Sequence, residues 1–245
     1  MMKYKNIVIY GGSSEISKEL IKIYINKCEK LIIFCRNKDE IKITFSSDYL
    51  KKIEIIEVEL FDLKKILEII KENVQEISGL IWIAGMTGNA TNEYEDLDLA
   101  QKNIKINFFN PIIIINELSK KMIENKNCFI AIFTSVAGLR GRKKQLFYSA
   151  AKSGLIAYAS GLRQKLNNKN IHVLTIIPGY MNTKSFREGN WSAPNFLITQ
   201  PKKVALIIKH AIEKKKEVVY INLFWKFIMF AVNLIPEKLF KKFNF

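Results

Sequence analysis

Histidine and cysteine are scarce in this chain of 245 residues, and their scarcity removes chemistry. His172 and His210 stand without carboxylate or cysteine companions, so neither reads as a metal ligand and no metal site is expected. The three cysteines, Cys28, Cys35 and Cys128, have no ligand-like spacing, and an odd number argues against a disulfide framework. A reducing, cytoplasmic setting is the natural reading. Residues 1–6 run straight into a strand-like segment, without the charged region, apolar stretch and small-residue cleavage site that mark export. Acidic charge is also short: 23 Asp and Glu face 39 Lys and Arg, a net charge of +16. That balance could serve nucleic acid, anionic lipid or phosphorylated substrates. Because lysine, isoleucine and asparagine are abundant throughout and the lysines spread over many predicted helices, nucleic-acid binding is not expected.

What the chain does contain is an alternation of apolar strands and helical segments. Strands are predicted over residues 5–10, 31–35, 53–58, 80–84, 128–134 and 172–177, and helices over 63–72, 100–125 and 149–167. Such alternation implies an α/β fold, a single doubly wound parallel sheet with right-handed crossovers and helices on both faces. Its opening is a short apolar run, a small-residue turn at Gly11-Gly12-Ser13-Ser14 and then the helical pattern of Ile16, Leu20, Ile21 and Ile23. Backbone N–H groups at that helix start could hold a pyrophosphate. No repeat or linker divides the chain, so one domain is expected over residues 1–217, followed by a tail over 218–245.

Tyr148-Ser149-Ala150-Ala151-Lys152 carries the clearest chemistry. On a helix Tyr148 and Lys152 share a face one turn apart, and an ammonium beside a phenol favours the phenolate. The phenol could then exchange a proton near neutrality. Ser135, at a strand end, could hydrogen-bond the same substrate carbonyl, and the three groups suit carbonyl reduction or alcohol oxidation. A lone Tyr-x-x-x-Lys is equally an ordinary surface pair.

With the other motifs in place, the chain resembles the short-chain dehydrogenase/reductases over roughly residues 5–215. The glycine-rich turn corresponds to residues 11–17, the active-site asparagine to Asn107, the serine to Ser135, the Tyr-x-x-x-Lys to Tyr148 and Lys152, and the proline-glycine segment to residues 178–183. The resemblance implies that Tyr148 is the general acid, that Ser135 orients the carbonyl, that Lys152 lowers the tyrosine pKa and holds the nicotinamide ribose, and that Asn107 keeps a water in a proton relay. Cofactor contacts are implied at Gly11, Ser13, Ser14, Glu15, Ile16, Arg36, Glu59, Leu60, Ala84, Gly85, Tyr148, Lys152, Pro178, Gly179, Met181 and Thr183. Two departures stand out. Glu15 and Ser17 replace the second and third glycines, so a looser helix start with a carboxylate near the pyrophosphate is expected. Trp82-Ile83-Ala84-Gly85 replaces the usual Asn-Asn-Ala-Gly and loses its polar support. Arg36 ends the second strand where no ribose-binding acid stands, and it could stack on adenine or meet a 2′-phosphate. NADP(H) is therefore favoured, with NAD(H) the alternative. Glu59 could equally be a solvated strand-end residue.

The tail is apolar over residues 221–235 but is broken by Asn222, Lys226 and Asn233 and stopped by Pro236, too short for a span of about 20 residues. Trp225, Phe227, Ile228 and Phe230 could form a lid or an oligomer helix. With Lys226, Lys238, Lys241 and Lys242, they could equally form an anchor resting on anionic lipid at the inner face of a membrane. Together with Gly-Gly-Ser-Ser-Glu-Ile and Ala-Gly-Leu-Arg-Gly-Arg, the tail looks like that of the ketoreductases forming one half of decaprenylphosphoryl-ribose 2′-epimerases. That likeness implies a keto-sugar on a polyprenyl phosphate, a flavin oxidase partner, and Arg140, Arg142 and Lys143 facing the lipid-linked phosphate; the alternative for these three is an exposed basic loop. The remaining alternatives are a soluble keto-sugar reductase and a dinucleotide-sensing module without turnover. A homodimer or homotetramer, paired through the helices beginning near Ala100 and Ser149, is expected from the family resemblance.

Overall fold

Short runs of branched aliphatic and aromatic residues form the strands, and those of the sheet centre are buried on both faces, as a parallel sheet covered by helices requires. The computed structural model describes residues 4–86, 96–122, 127–189 and 191–243. The strands are β1 (Tyr4–Tyr10), β2 (Cys28–Cys35), β3 (Ile53–Glu57), β4 (Ile77–Trp82), β5 (Cys128–Phe133), β6 (Ile171–Ile177) and β7 (Val218–Tyr220). They make one sheet in the order β3-β2-β1-β4-β5-β6-β7, every pairing parallel. The helices are α1 (Glu15–Tyr24), α2 (Asp39–Thr44), α3 (Ser47–Leu50), α4 (Leu63–Asn73), α5 (Leu97–Ile104), α6 (Asn110–Ser119), α7 (Leu146–Leu166), α8 (Lys184–Glu188), α9 (Pro201–Glu213), α10 (Leu223–Leu234) and α11 (Glu237–Phe240).

One apolar core lies between the sheet and α1 and α9, where Leu20, Ile21, Val204 and Ile208 meet Ile7, Ile9 and Ile33. The opposite core packs α4, α6 and α7 on Val8, Leu80 and Ile130. The stripe Ala151, Leu155, Ala159, Leu162 and Leu166 gives α7 its buried face. Between β1 and β4 the strand order reverses, and loops leaving the carboxyl ends diverge there to open a crevice. Hydrogen bonds fix its edges. The Tyr10 carbonyl accepts the Ile83 and Ala84 amides at 2.9 and 3.0 Å, and the Phe34 carbonyl accepts those of Gly11 and Gly12 at 3.0 and 2.9 Å. Beneath the crevice Phe34, Tyr10 and Trp82 stack across three in-register strands, with ring centroids 5.0 and 4.2 Å apart.

Several elements differ from expectation. The helix expected over residues 100–125 begins at Leu97, widens into a π-helical turn at Lys105–Phe109 and ends at Ser119. Its early end serves the sheet, because Ile77 N–H donates to the Lys121 carbonyl at 2.9 Å; residues 123–125 lie outside the described set. β7 takes the first three residues of the segment read as tail into the sheet edge, a strand too short for its periodicity to register. The helices α2, α3, α8 and α9 were also not foreseen.

The turn Val136–Gly138 packs directly on α7. A Cβ on Gly138 would lie 2.6 Å from the Lys152 carbonyl carbon and 2.8 Å from its oxygen, both backbone atoms that cannot swing aside. Gly138→Ala is expected to cost about 2 kcal/mol by displacing α7, read as a lower urea midpoint at unchanged slope, with a loss of turnover because Lys152 moves with the helix.

Candidate active site

Every residue to which the sequence assigned a catalytic or cofactor role borders one cleft of about 990 Å³ at the carboxyl edge of the sheet. At its dinucleotide end, β1 stops at Gly11, whose φ of +99° suits glycine, and a Cβ there would lie 2.8 Å from the Ala84 nitrogen. Ser14 caps α1, its hydroxyl accepting from the Ile16 amide at 3.2 Å. Ser13 Oγ is buried on this wall without a hydrogen-bond partner among the described residues. An orphaned hydroxyl beside a helix N-terminus and a side-chain-free backbone fits a pyrophosphate oxygen. Arg36, Glu59 and Leu60 border the cleft farther along, where an adenosine would rest.

The two departures from the glycine pattern prove constructive. Ser17 does not loosen the helix start: it is fully buried, and its hydroxyl donates to the Gly11 carbonyl at 2.7 Å, tying helix to turn. Glu15 does not present a free carboxylate to the pyrophosphate site. It accepts from the Lys184 amide at 2.7 Å and the Arg187 guanidinium at 2.9 Å, clipping α8 across the front of the cleft. The support expected to be lost at residues 82–85 is also present, since Trp82 Nε1 donates to the Ala84 carbonyl at 3.0 Å.

Asn107 sits in the π-helical turn, a distortion that recurs at functional sites. Its Oδ1 accepts from the Met86 amide at 3.0 Å, while Nδ2 donates to the Met86 carbonyl at 2.8 Å and to Asn103 Oδ1 at 2.8 Å. The side chain thus fixes the loop after β4. Gly85 completes this corner, because a Cβ there would lie 2.9 Å from Asn107 Oδ1 and 3.2 Å from Lys152 Nζ.

At the opposite wall Ser135 leaves β5 and Tyr148 and Lys152 rise from α7. Ser135 Oγ accepts from the Ala137 amide at 3.1 Å and borders the cleft beside the Tyr148 phenol. Burial pushes the phenol above its usual range, and the Ser135 hydroxyl and the Arg142 guanidinium pull it back. The Lys152 ammonium lies 5.6 Å from the phenol ring centre. Lys152 is itself brought down to about 8 by burial. The arrangement can deliver a proton from Tyr148 to a carbonyl oxygen that Ser135 also meets. A bound nicotinamide would supply hydride, with Lys152 Nζ placed to meet its ribose.

Pro178, Gly179, Met181 and Thr183 form the remaining edge after β6. Trp225 of α10 lies on this loop: a Cβ on Gly179 would be 2.0 Å from the indole nitrogen, which donates to the Leu197 carbonyl at 3.2 Å. Sequence reading did not connect Trp225 with the cofactor edge, nor Arg187 with Glu15, because these partners are distant along the chain and no local pattern links them. Trp82 was legible only as a missing asparagine.

The buried lysine links proton binding to stability. Held at about 8 against an ordinary 10.5, Lys152 binds fewer protons in the folded than in the unfolded chain between those values, so stability rises with pH across that window. Below pH 8 the buried charge costs about 3 kcal/mol. Lys152→Met is expected to abolish turnover while stabilising the cofactor-free protein near pH 7 by up to that amount, with the gain shrinking as pH approaches 10.5. Urea unfolding at neutral and alkaline pH checks this, and an equal effect at both would show that the ammonium is not desolvated.

Relatives share this framework. The Dehydrogenase/reductase SDR family protein 7-like of Dictyostelium discoideum is 28% identical over 197 residues, 74% of this chain and 61% of that protein's length. An uncharacterized oxidoreductase of Mycobacterium tuberculosis is 24% identical over 237 residues, covering 94% of each chain. A short chain dehydrogenase from Burkholderia cenocepacia, solved in complex with NADP, superposes with a TM-score of 0.82 over 98% of this chain and 97% of its own, at 16% identity. Because the profile of the short chain dehydrogenases matches residues 5–192, spanning the glycine turn, Ser135, Tyr148 and Lys152, this chain belongs to the short chain dehydrogenase family of oxidoreductases.

Proposed function

We propose that the protein is an NADPH-dependent ketoreductase whose substrate is a keto-sugar carried on a polyprenyl phosphate, a 2-keto-pentose in cell-envelope polysaccharide synthesis. The observation that carries the reductase reading is the meeting of Tyr148, Ser135 and Lys152 at one end of a cleft whose other end offers the orphaned Ser13 hydroxyl. A module that only sensed dinucleotide would need no such proton-delivering set. Arg36 at the adenosine end and the NADP found in the Burkholderia relative support NADP(H) over NAD(H).

The tail supports the lipid-linked substrate. One face of α10 buries Trp225 and Met229 against the cleft. The other leaves Leu223, Phe224, Phe227, Phe230 and Leu234 between 56% and 68% exposed, with Lys226, Lys238, Lys241 and Lys242 nearby. No helix among the described residues is long and apolar enough to cross a membrane. An apolar face with basic neighbours suits resting on an anionic bilayer, where a polyprenyl carrier and a flavin oxidase partner would be met. The buried face favours the second reading, a soluble keto-sugar reductase with α10 as lid. Separately, Leu97, Ala100, Ile104, Phe109 and Phe147 line an apolar groove of about 420 Å³ between α5 and α7, supporting a homodimer through that face; a monomer in solution scattering would count against it.

The test follows reduced-nicotinamide absorbance with a polyprenyl-phosphoryl 2-keto-pentose in anionic vesicles and, in parallel, with soluble keto-sugars, each with NADPH and NADH. Turnover confined to the lipid-linked ketone with NADPH is expected, and Phe227→Glu should lower the vesicle rate tenfold or more. Turnover only of soluble keto-sugars, unchanged in Phe227→Glu, would make α10 a lid and overturn the lipid-linked reading.

A further inference from the structure

The four basic residues between Ser135 and Tyr148 have three different fates. Arg140 is spent on the tail: its guanidinium donates to the Val232 carbonyl, pairs with Glu237 at 2.9 Å and lies 3.8 Å over the Phe240 ring. Lys143 and Lys144 are exposed and do not border the cleft. Arg142 alone enters the cleft, beside Tyr148 and Trp225. Among the described residues its only side-chain hydrogen-bond contact is the Met229 sulfur at 3.7 Å, and no carboxylate pairs with it. Tyr148 and Tyr180, both neutral phenols, border the cleft with it. A half-buried guanidinium, partly stripped of water and given no counter-charge by the described residues, is costly to hold unless a ligand completes it. Its planar fork of donors matches phosphate or carboxylate oxygens.

We propose that Arg142 is a specificity-determining residue that binds an anionic substituent of the substrate, a phosphate or carboxylate, beside the carbonyl served by Tyr148. This rests on the ketoreductase reading and names the substrate class: ketones carrying an anion near the reacting carbon. Arg140 is separated from this role and acts as the clamp that seats α10 and α11 on the far side of the same pocket.

Saturating the full-length protein with NADP+ fills the cofactor's own phosphate sites, so that added anions report on the substrate side alone. Inorganic phosphate and geranyl phosphate are then titrated by calorimetry into wild type, Arg142→Gln, Arg142→Lys and Lys143→Gln. Arg142→Gln is expected to weaken binding tenfold or more, Arg142→Lys by less, and Lys143→Gln, which removes the same charge from a neighbouring exposed site, hardly at all. NADP+ affinity, retained in all variants, certifies their folds. Equal weakening by Arg142→Gln and Lys143→Gln, or no anion binding by wild type, would overturn the proposal. Geranyl phosphate binding more tightly than phosphate assigns the anion to a lipid carrier; equal binding assigns it to a soluble substrate. An Arg142-dependent anion site without turnover of any ketone would sink the ketoreductase reading and leave the anion site standing.

Discussion

Two carbonyl oxygens hold the site together. Those of Tyr10 and Phe34 each accept two backbone amides where the strand order reverses, and this forces the chains leaving β1 and β4 to bend in ways that open the crevice. The bend leaves no room for side chains at Gly11, where a Cβ would press on the Ala84 backbone, or at Gly12, where it would strike Ile33. Under it lies the stacked trio of Phe34, Tyr10 and Trp82, whose large, rigid rings make the crevice floor hard to deform.

On that floor the site is assembled from opposed demands. Tyr148 and Lys152 must be ionisable and yet dry, so burial raises one and lowers the other. Near neutral pH the Tyr148 phenol is neutral folded or unfolded, so the stability cost in the empty protein falls on the buried Lys152 ammonium. The surrounding elements offset that cost. Gly138 lets the turn after β5 lie directly on the α7 backbone, Asn107 pins the loop after β4, and Trp82 holds the Ala84 carbonyl.

Most of the architecture was legible because it rests on local pattern. Six of the seven strands are apolar runs bounded by turns, and the catalytic set keeps its spacing from Ser135 through Lys152. What stayed hidden depends on pairs that meet only in space. Glu15 could not be connected with Arg187, nor Trp225 with Gly179, since nothing adjacent to either announces its partner. Ser17 and Trp82 looked like losses because a sequence pattern records which residue is absent, not what its replacement can bond. β7 was missed for a simpler reason: three residues supply too few alternations to register.

The seat of Trp225 on Gly179 carries a consequence for energy flow between the two ends of the molecule. The indole has no clearance there, so the loop after β6 and α10 cannot be displaced independently. Linkage then makes the coupling reciprocal: whatever surface or partner binds α10 more tightly with this loop ordered must tighten ligands that order the loop, by the same factor, and those ligands must strengthen the hold on α10 in return. Any docking of the tail would then be linked to occupancy of the cleft.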